Sequence, residues 1–268
     1  MKNKIRKILY FCAWVLLVSG GIMWLGFVNE KQQAQTCKQV LIDIHDEVEH
    51  EFVDQADVRD LITKGGPLTG KPLGSINTAL LEKIILSNPF VQRAEVYSTV
   101  DGNLKVEVWQ RNPIMRVVNM RDEQFYIDTE GNFMPVCDKY TTPVIVASGY
   151  IFNSFTEMKI DNRKEEIADS LRIPRVINQV YALVQFIAAD SFWTANTEQV
   201  YVNEHQELEL IPRIGQHRII LGDTTNLQDK FNRLMVFYKE GLSKTGWNNY
   251  SIINLKYRDQ VVCTKIKS

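Results

Sequence analysis

Val91–Pro113 reads VQRAEVYSTVDGNLKVEVWQRNP, and two alternating segments lie within it. Val91–Thr99 and Leu104–Gln110 each carry the period-two pattern of a half-buried strand. Between them Asp101-Gly102 is a turn pair that strongly signals a tight hairpin. In the second segment Leu104, Val106 and Val108 face one way and Lys105, Glu107 and Trp109 the other, so one face of the hairpin needs a cover. Arg111-Asn112-Pro113 breaks the pattern and is read as a domain junction.

The cover is legible upstream. Asn77 is placed to cap a helix over Thr78–Leu86, with Leu80, Leu81, Ile84 and Ile85 as its buried face and Pro89 ending it. Asp54–Lys64 reads as another helix, capped by Asp54, with Val58, Leu61 and Ile62 in one stripe. Between the helices, Gly65–Ser75 holds four glycines and two prolines, which reset the chain direction. Thr36–Ile44 sets Val40, Ile42 and Ile44 on alternate positions as a first strand, and His45–Glu51 follows as a polar turn. The order strand-helix-helix-strand-strand predicts an α+β module, a three-stranded sheet with both helices on one face.

Further upstream, Ile8–Val28 runs 21 residues without a charged side chain. As a helix it reaches about 31 Å, close to the hydrocarbon thickness of a bilayer. Aromatic residues stand toward each end, Tyr10, Phe11 and Trp14 at one and Trp24 and Phe27 at the other. Lys2, Lys4, Arg6 and Lys7 precede the run with no acid among them. The reading is a single transmembrane helix with residues 1–7 cytoplasmic and everything after Val28 across the membrane. A cleaved signal peptide has a shorter apolar core and a small-x-small site, and Asn29–Gln35 offers only Ala34. Ser19, Gly20 and Gly21 would permit close approach of another helix.

Downstream of the junction, Met115–Met120, Gln124–Ile127 and Phe133–Val136 read as short strands, with a turn at Asp128–Gly131 before the third. Val144–Ala147 is a further apolar run, and Gly149–Arg163 an irregular surface loop. Pro174–Ala189 is a helix with Val176, Ile177, Val180, Tyr181, Val184 and Ile187 at helical spacing. Gln199–Val202, Glu207–Ile211 and His217–Leu221 are expected as antiparallel strands. Asn226–Lys244 is expected as a second long helix turning Leu227, Phe231, Leu234, Met235, Phe237 and Tyr238 inward. Ser251–Tyr257 and Val261–Ile266 close the chain as strands around a turn at Arg258–Gln260. The sum is a mixed antiparallel sheet carrying helices, with nothing resembling a βαβ nucleotide fold.

Composition excludes several function classes. Of 31 Lys and Arg, four precede the span, leaving 27 against 32 acids, so the remainder is net negative by five. No basic surface is available for nucleic acid. Cys12 lies in the span, and Cys37, Cys137 and Cys263 are too sparse for a disulfide framework, although one pair, such as Cys137 with Cys263, stays open.

Catalytic motifs are missing. Gly65-Gly-Pro-Leu-Thr-Gly70-Lys71-Pro72 matches a phosphate loop only up to Pro72, which stands where a magnesium-binding hydroxyl is required and offers no N–H. His45 and His50 lack metal-ligand spacing. No serine sits in a hydrolase elbow. The 32 acids leave paired carboxylates for glycan hydrolysis open, but nothing singles out a pair. No catalytic, cofactor-binding or metal-ligating residue is therefore assigned.

The assembled order resembles the FtsQ/DivIB family of bacterial cell-division proteins. The similarity lies in a short basic tail, one span, a POTRA-type module (36–113) and a second mixed domain (114–268). The most specific residues are Phe231, Leu234, Phe237 and Tyr238 on a helix, then Trp247, Tyr250 and Ile253-Asn-Leu-Lys-Tyr257, which resembles the family's I-D-L-R-Y. Asp101–Val108 followed by Arg111-Asn-Pro113, and Tyr126–Gly131, are similar to further family segments.

The resemblance implies a non-enzymatic assembly protein of the division septum. It implies binding of the single-span proteins FtsB and FtsL, and through them an influence on septal peptidoglycan synthesis. It also implies docking by strand addition at the last strand, with Tyr257, Val261, Val262, Trp247 and Tyr250 as partner-binding residues and Tyr257–Cys263 as the main docking edge. The family's further aromatic falls near Lys265, a departure at that contact. A contact from the Val91–Gln110 hairpin to another membrane partner is a second implication. The alternatives are a membrane-anchored envelope hydrolase or glycan-modifying enzyme, and a POTRA-bearing secretion factor, although no barrel-forming strand series accompanies the module.

Overall fold

The computed structural model describes residues 14–15, 17–20, 35–45, 51–156 and 175–266. Most of Ile8–Val28 lies outside the described residues; Trp14, Val15 and residues 17–20 are helical and exposed. Among the described residues no helix is long and apolar enough to cross a membrane. The turn expected after His45 and the far end of the loop after Gly149 also fall outside them. The chain divides between Gln110 and Arg111 into two compact units.

Unit 1 contains β1 (Val40–His45), α1 (Gln55–Thr63), α2 (Thr78–Ile85), β2 (Val91–Ser98) and β3 (Leu104–Gln110). Its sheet order is β1-β3-β2, with β1 parallel and β2 antiparallel to β3. Asp54 caps α1 in a reciprocal box with Asp57, the Asp57 N–H donating at 2.8 Å and the Asp54 N–H at 3.1 Å. Asn77 accepts from Leu80 N at 3.0 Å to start α2. Gly102, at φ +85°, makes the hairpin turn that a side chain would resist. Leu104, Val106 and Val108 are fully buried, as their alternation requires.

One expected core residue faces out. Leu80 is 53% exposed, because Leu81 and Ile85, four residues apart, take the stripe that α2 lays against β2. On the same helix Glu82 accepts a hydrogen bond from the β2 backbone at Val96 N, 2.9 Å. The Gly65–Ser75 loop is a backbone clasp. Cys37 N donates to Lys71 O, Gly70 N to Cys37 O and Leu73 N to Gln35 O, each at 2.8 Å.

Unit 2 is built on one nine-stranded sheet, comprising β4 (Pro113–Val118), β5 (Gln124–Asp128), β6 (Phe133–Pro135), β7 (Ile145–Gly149), β8 (Thr197–Val202), β9 (Leu208–Pro212), β10 (Arg218–Gly222), β11 (Tyr250–Asn254) and β12 (Val262–Lys265). The order across it is β12-β11-β10-β9-β8-β7-β4-β5-β6. Its helices are α3 (Arg175–Ala188), α4 (Ser191–Asn196) and α5 (Leu227–Val236), the last continuing as a π-helical stretch, Phe237–Leu242.

The sheet is more parallel than its sequence suggests. β4 with β7, β7 with β8, and β10 with β11 are parallel pairs. Both β7-α3-α4-β8 and β10-α5-β11 are therefore βαβ crossovers, contrary to the antiparallel expectation. Strand direction is set by which strands become neighbours, and that is invisible to local periodicity.

The core joins the helices to the sheet. Ile177, Val180, Leu183, Val184 and Ile187 of α3 and Phe231 and Leu234 of α5 pack with Val117, Phe125, Val200, Leu210, Ile219 and Ile253. Trp193 of α4 meets Phe231 edge to face at 4.9 Å. The expected turn after β5 is organised by Asp128, whose Oδ1 accepts from the N–H groups of Glu130 (2.9 Å) and Asn132 (2.7 Å) while Arg111 pairs with Oδ2 at 2.8 Å.

Candidate partner-docking edge

The C-terminal end of unit 2 is a helix, a loop and an edge strand held together. Phe231 and Leu234 point α5 into the core, which leaves Val236 on the outer face, 60% exposed. In the π-helical stretch Gly241 is covered by the Phe237 ring; a Cβ there would come within 2.7 Å of it. Phe237 in turn meets Tyr250 edge to face at 5.8 Å. A bulge in the helical ladder and a small residue together admit one ring.

Arg233 fixes the loop that joins β11 to β12. Its Nη1 donates to Tyr257 O at 2.8 Å and also to Gln260 O, its Nη2 donates to Leu255 O at 3.2 Å, and its Nε to Asp229 at 3.0 Å. One planar guanidinium thus satisfies three loop carbonyls and one carboxylate, a geometry an ammonium could not match. Asp259 sits within that loop at φ +58°.

β12 is the last strand of the sheet. Val262, Cys263, Thr264 and Lys265 pair with β11, and no strand lies beyond them among the described residues. Its outer backbone groups are the kind an incoming strand can pair with. Beside it runs a groove of about 520 Å³ lined by Val236, Phe237, Gly241, Gln260 and Val261, with Arg233 and Glu240 among its polar members.

The expected contact residues separate into two groups. Tyr257, 53% exposed, lies in the loop, Val261 is half-buried at its end, and Val262, 42% exposed, opens β12. The strand therefore begins at Val262, and Tyr257–Val261 is a loop that Arg233 holds against α5. Trp247 and Tyr250 lie toward the other end of the β11–β12 pair and pack inward. Trp247 meets Tyr238 at 4.9 Å, and its ring lies 6.4 Å from that of His217. Sequence reasoning missed Arg233, Val236 and Gly241. The signal for Arg233 was its i,i+4 spacing from Asp229, which reads equally as an ordinary helix-surface pair.

Beneath Trp247 the polar groups are closed in. His217 is 3% exposed, with its Nε2 3.2 Å from the Tyr238 hydroxyl. Burial lowers the His217 pKa, the facing carbonyl of Trp247 opposing weakly, and burial raises that of Tyr238.

A second, polar cavity of about 640 Å³ lies between the end of β10 and the start of α5. There buried Lys230 donates to Leu221 O and Asp223 O, both at 2.9 Å, and to the Asp223 carboxylate at 2.8 Å. Lys230 and then Thr225 hold Asp223 down to about 2. Lys256 pairs with Glu207 and lowers its pKa. These charges neutralise one another in pairs and form a structural network.

Among the described residues no group of three or more His, Cys, Asp or Glu side chains is arranged to hold a metal ion. Cys37, Cys137 and Cys263 are free thiols. Cys263 lies in β12 and Cys137 just beyond β6, at opposite edges of the nine-stranded sheet, too far apart to bridge within one chain.

Comparison with known proteins agrees with this architecture. Residues 35–109 match the POTRA-like domain, and residues 112–264 match the family described as FtsQ/DivIB, C-terminal related. No curated protein matches the chain. Since the second match alone covers more than half of the sequence and coincides with the nine-stranded unit, the chain belongs to the FtsQ/DivIB C-terminal-related family, whose members are non-enzymatic cell-division proteins.

Proposed function

We propose that this protein is a membrane-anchored assembly protein of the division septum whose β12 edge binds FtsB and, with it, FtsL, linking them to septal peptidoglycan synthesis. Ile8–Val28 is the anchor, residues 1–7 are cytoplasmic, and both folded units lie on the far side of an inner membrane. The observation that carries the reading is the open β12 edge beside an exposed apolar groove. A partner strand pairs with β12 through backbone groups, while its side chains take specificity from Val262, Tyr257 and the groove. Trp247 and Tyr250 contribute from behind by fixing β11 and Phe237.

Tethering gives the interaction its context. Single-span partners confined to one membrane meet at high effective concentration, so a modest edge suffices. The test is co-purification of FtsB with the full chain carrying Val262→Glu, or Cys263→Pro, which removes an N–H that faces away from β11. FtsB is lost while the melting temperature of the protein is kept. Undiminished co-purification would refute the docking edge.

A further inference from the structure

The chain enters unit 1 through residues 35–38, and these are held on both sides. On one side lies the Gly65–Pro72 loop, through the backbone bonds between Cys37 and both Lys71 and Gly70. On the other lies the hairpin tip. Lys38 N donates to Gly102 O at 2.9 Å, and Lys38 Nζ donates to the Asp101 carbonyl at 2.6 Å. Loop and tip thus meet at the end of the sheet where β1 and β3 begin and β2 stops. Gln110, where the chain leaves, is at the other end of β3, roughly 23 Å away.

This entry end has a distinct surface. Val100, at the tip, is 80% exposed, more than any other large hydrophobic among the described residues. Lys38 and Lys71 are exposed and have no carboxylate partner among the described residues. Across residues 35–38, 65–72 and 99–103 the only acid is Asp101, against Lys38 and Lys71. The local excess is positive in a segment that is net negative beyond the span.

Position decides what such a surface meets. Six residues, Asn29–Ala34, lie between the anchor and the entry segment, so seven residue steps join Val28 to Gln35. Fully extended they reach at most about 25 Å. The entry end is therefore held within that distance of the bilayer, whereas the Gln110 end lies farther along the chain from the anchor.

We propose that this end of unit 1 rests on an anionic phospholipid surface, with Val100 entering the headgroup layer and Lys38 and Lys71 against lipid phosphates. The inference rests on the reading of Ile8–Val28 as an anchor. It also gives the Gly65–Lys71 loop, which fails as a nucleotide site, a role in which a lysine meets phosphate without magnesium. Each lysine contributes about fivefold to the docked population. The short tether makes so weak a contact effective.

The test uses the full chain in nanodiscs of phosphatidylcholine with one quarter phosphatidylglycerol, valine methyls labelled for NMR, and a trace of lipid bearing a gadolinium chelate on its headgroup. The Val100 methyl signals are expected to lose more than half their intensity while those of Val91, at the opposite end of the sheet, persist. Lys38→Glu with Lys71→Glu, or pure phosphatidylcholine, restores the Val100 signals severalfold, and unchanged Val91 shifts confirm the fold. Equal attenuation at Val100 and Val91, or attenuation indifferent to lipid charge, overturns the proposal. Alkaline carbonate extraction separates the two readings. A chain washed from the membrane removes the anchor reading, whereas a retained chain with an unattenuated Val100 removes only the lipid contact.

Discussion

The nine-stranded sheet ends differently on its two sides. At one edge β6 is three residues long and closes with Pro135, which has no N–H to offer a further strand. At the other edge β12 runs Val262–Lys265 without a proline, exposes Val262 and borders the groove along α5. Unit 1 shows a third solution, since Glu82 reaches over from α2 and occupies Val96 N on edge strand β2. Edges are blunted wherever pairing is unwanted. Beside the guarded β6 and β2, the open β12 edge with its exposed apolar neighbours is the one to which the proposed docking is assigned.

The largest effect should come from exchanging the two ends. A proline at Cys263, whose N–H alternates away from β11 because Val262 pairs with Asn254, removes outward backbone pairing and inserts a ring into the contact. Affinity for an edge-pairing partner should therefore fall roughly 100-fold, equivalent to two or three lost hydrogen bonds with their desolvation. The reverse change, Pro135→Val, should leave that affinity unaltered and give β6 a usable donor. Its expected signature is concentration-dependent self-association in sedimentation. A monomeric Pro135→Val protein would mean that shortness, not proline, silences β6.

Next in size is Arg233→Ala, which sharpens why β12 is ready to pair. Removing the guanidinium frees the carbonyls of Leu255, Tyr257 and Gln260 and unfixes the loop. Partner affinity should fall about tenfold because an ordered loop no longer comes preformed. Arg233→Lys should recover only part of this, since an ammonium lacks the planar fork. Hydrogen exchange should quicken at residues 255–262 while the core strand β8 stays protected. Uniform acceleration across the sheet would show instead that Arg233 supports the whole unit.

The contrast between edges was only partly legible in the sequence. The caps at Asp54 and Asn77, the Asp101-Gly102 turn and the alternation of Leu104, Val106 and Val108 are local signals, and the structure realises each of them. So is the Asp128 turn. The edge status of β12 is not local, because it depends on which strand lies next to which across nine strands. The parallel crossovers escaped for the same reason. α4 escaped because six residues are too few to show a period, although Asp190 caps it with hydrogen bonds from Phe192 N and Trp193 N. Of the expected contact residues, Tyr257, Val261 and Val262 meet at the open edge, but an aromatic residue in sequence reads alike whether it faces a partner or, like Trp247, a core histidine.

That histidine gives a smaller, pH-dependent prediction. Burial lowers the His217 pKa below its ordinary 6.5, so the unfolded chain takes up a proton at a pH where the folded chain does not. The stabilisation is complete above 6.5 and is lost as pH falls toward the folded-state value. Carboxylates titrate lower, and hydrogen bonds, from Lys256 to Glu207 and from Asn119 to Glu123, push these two further down, so the interval from 7.5 to 5.5 isolates the imidazole. Urea midpoints should fall across it in the wild type and much less in His217→Gln. Since Trp247 lies against this ring and leads into β11, the open edge should loosen first. Parallel slopes for the two proteins would exclude His217 as the titrating group.

The smallest effect concerns the guarded edge of unit 1. Glu82→Ala should cost about 1 kcal/mol, the worth of one hydrogen bond to a backbone donor at a partly buried site. Its more telling result is on β2 itself. With the carboxylate gone, Val96 N should exchange its proton faster, and Val91–Ser98 should become an edge like β12. Glu82→Gln, which retains an acceptor oxygen, should keep most of the protection. If Val96 exchanges at the same rate in all three proteins, the guard is the packing of α2 over β2 rather than its glutamate, and the difference between β2 and β12 is then one of coverage rather than chemistry.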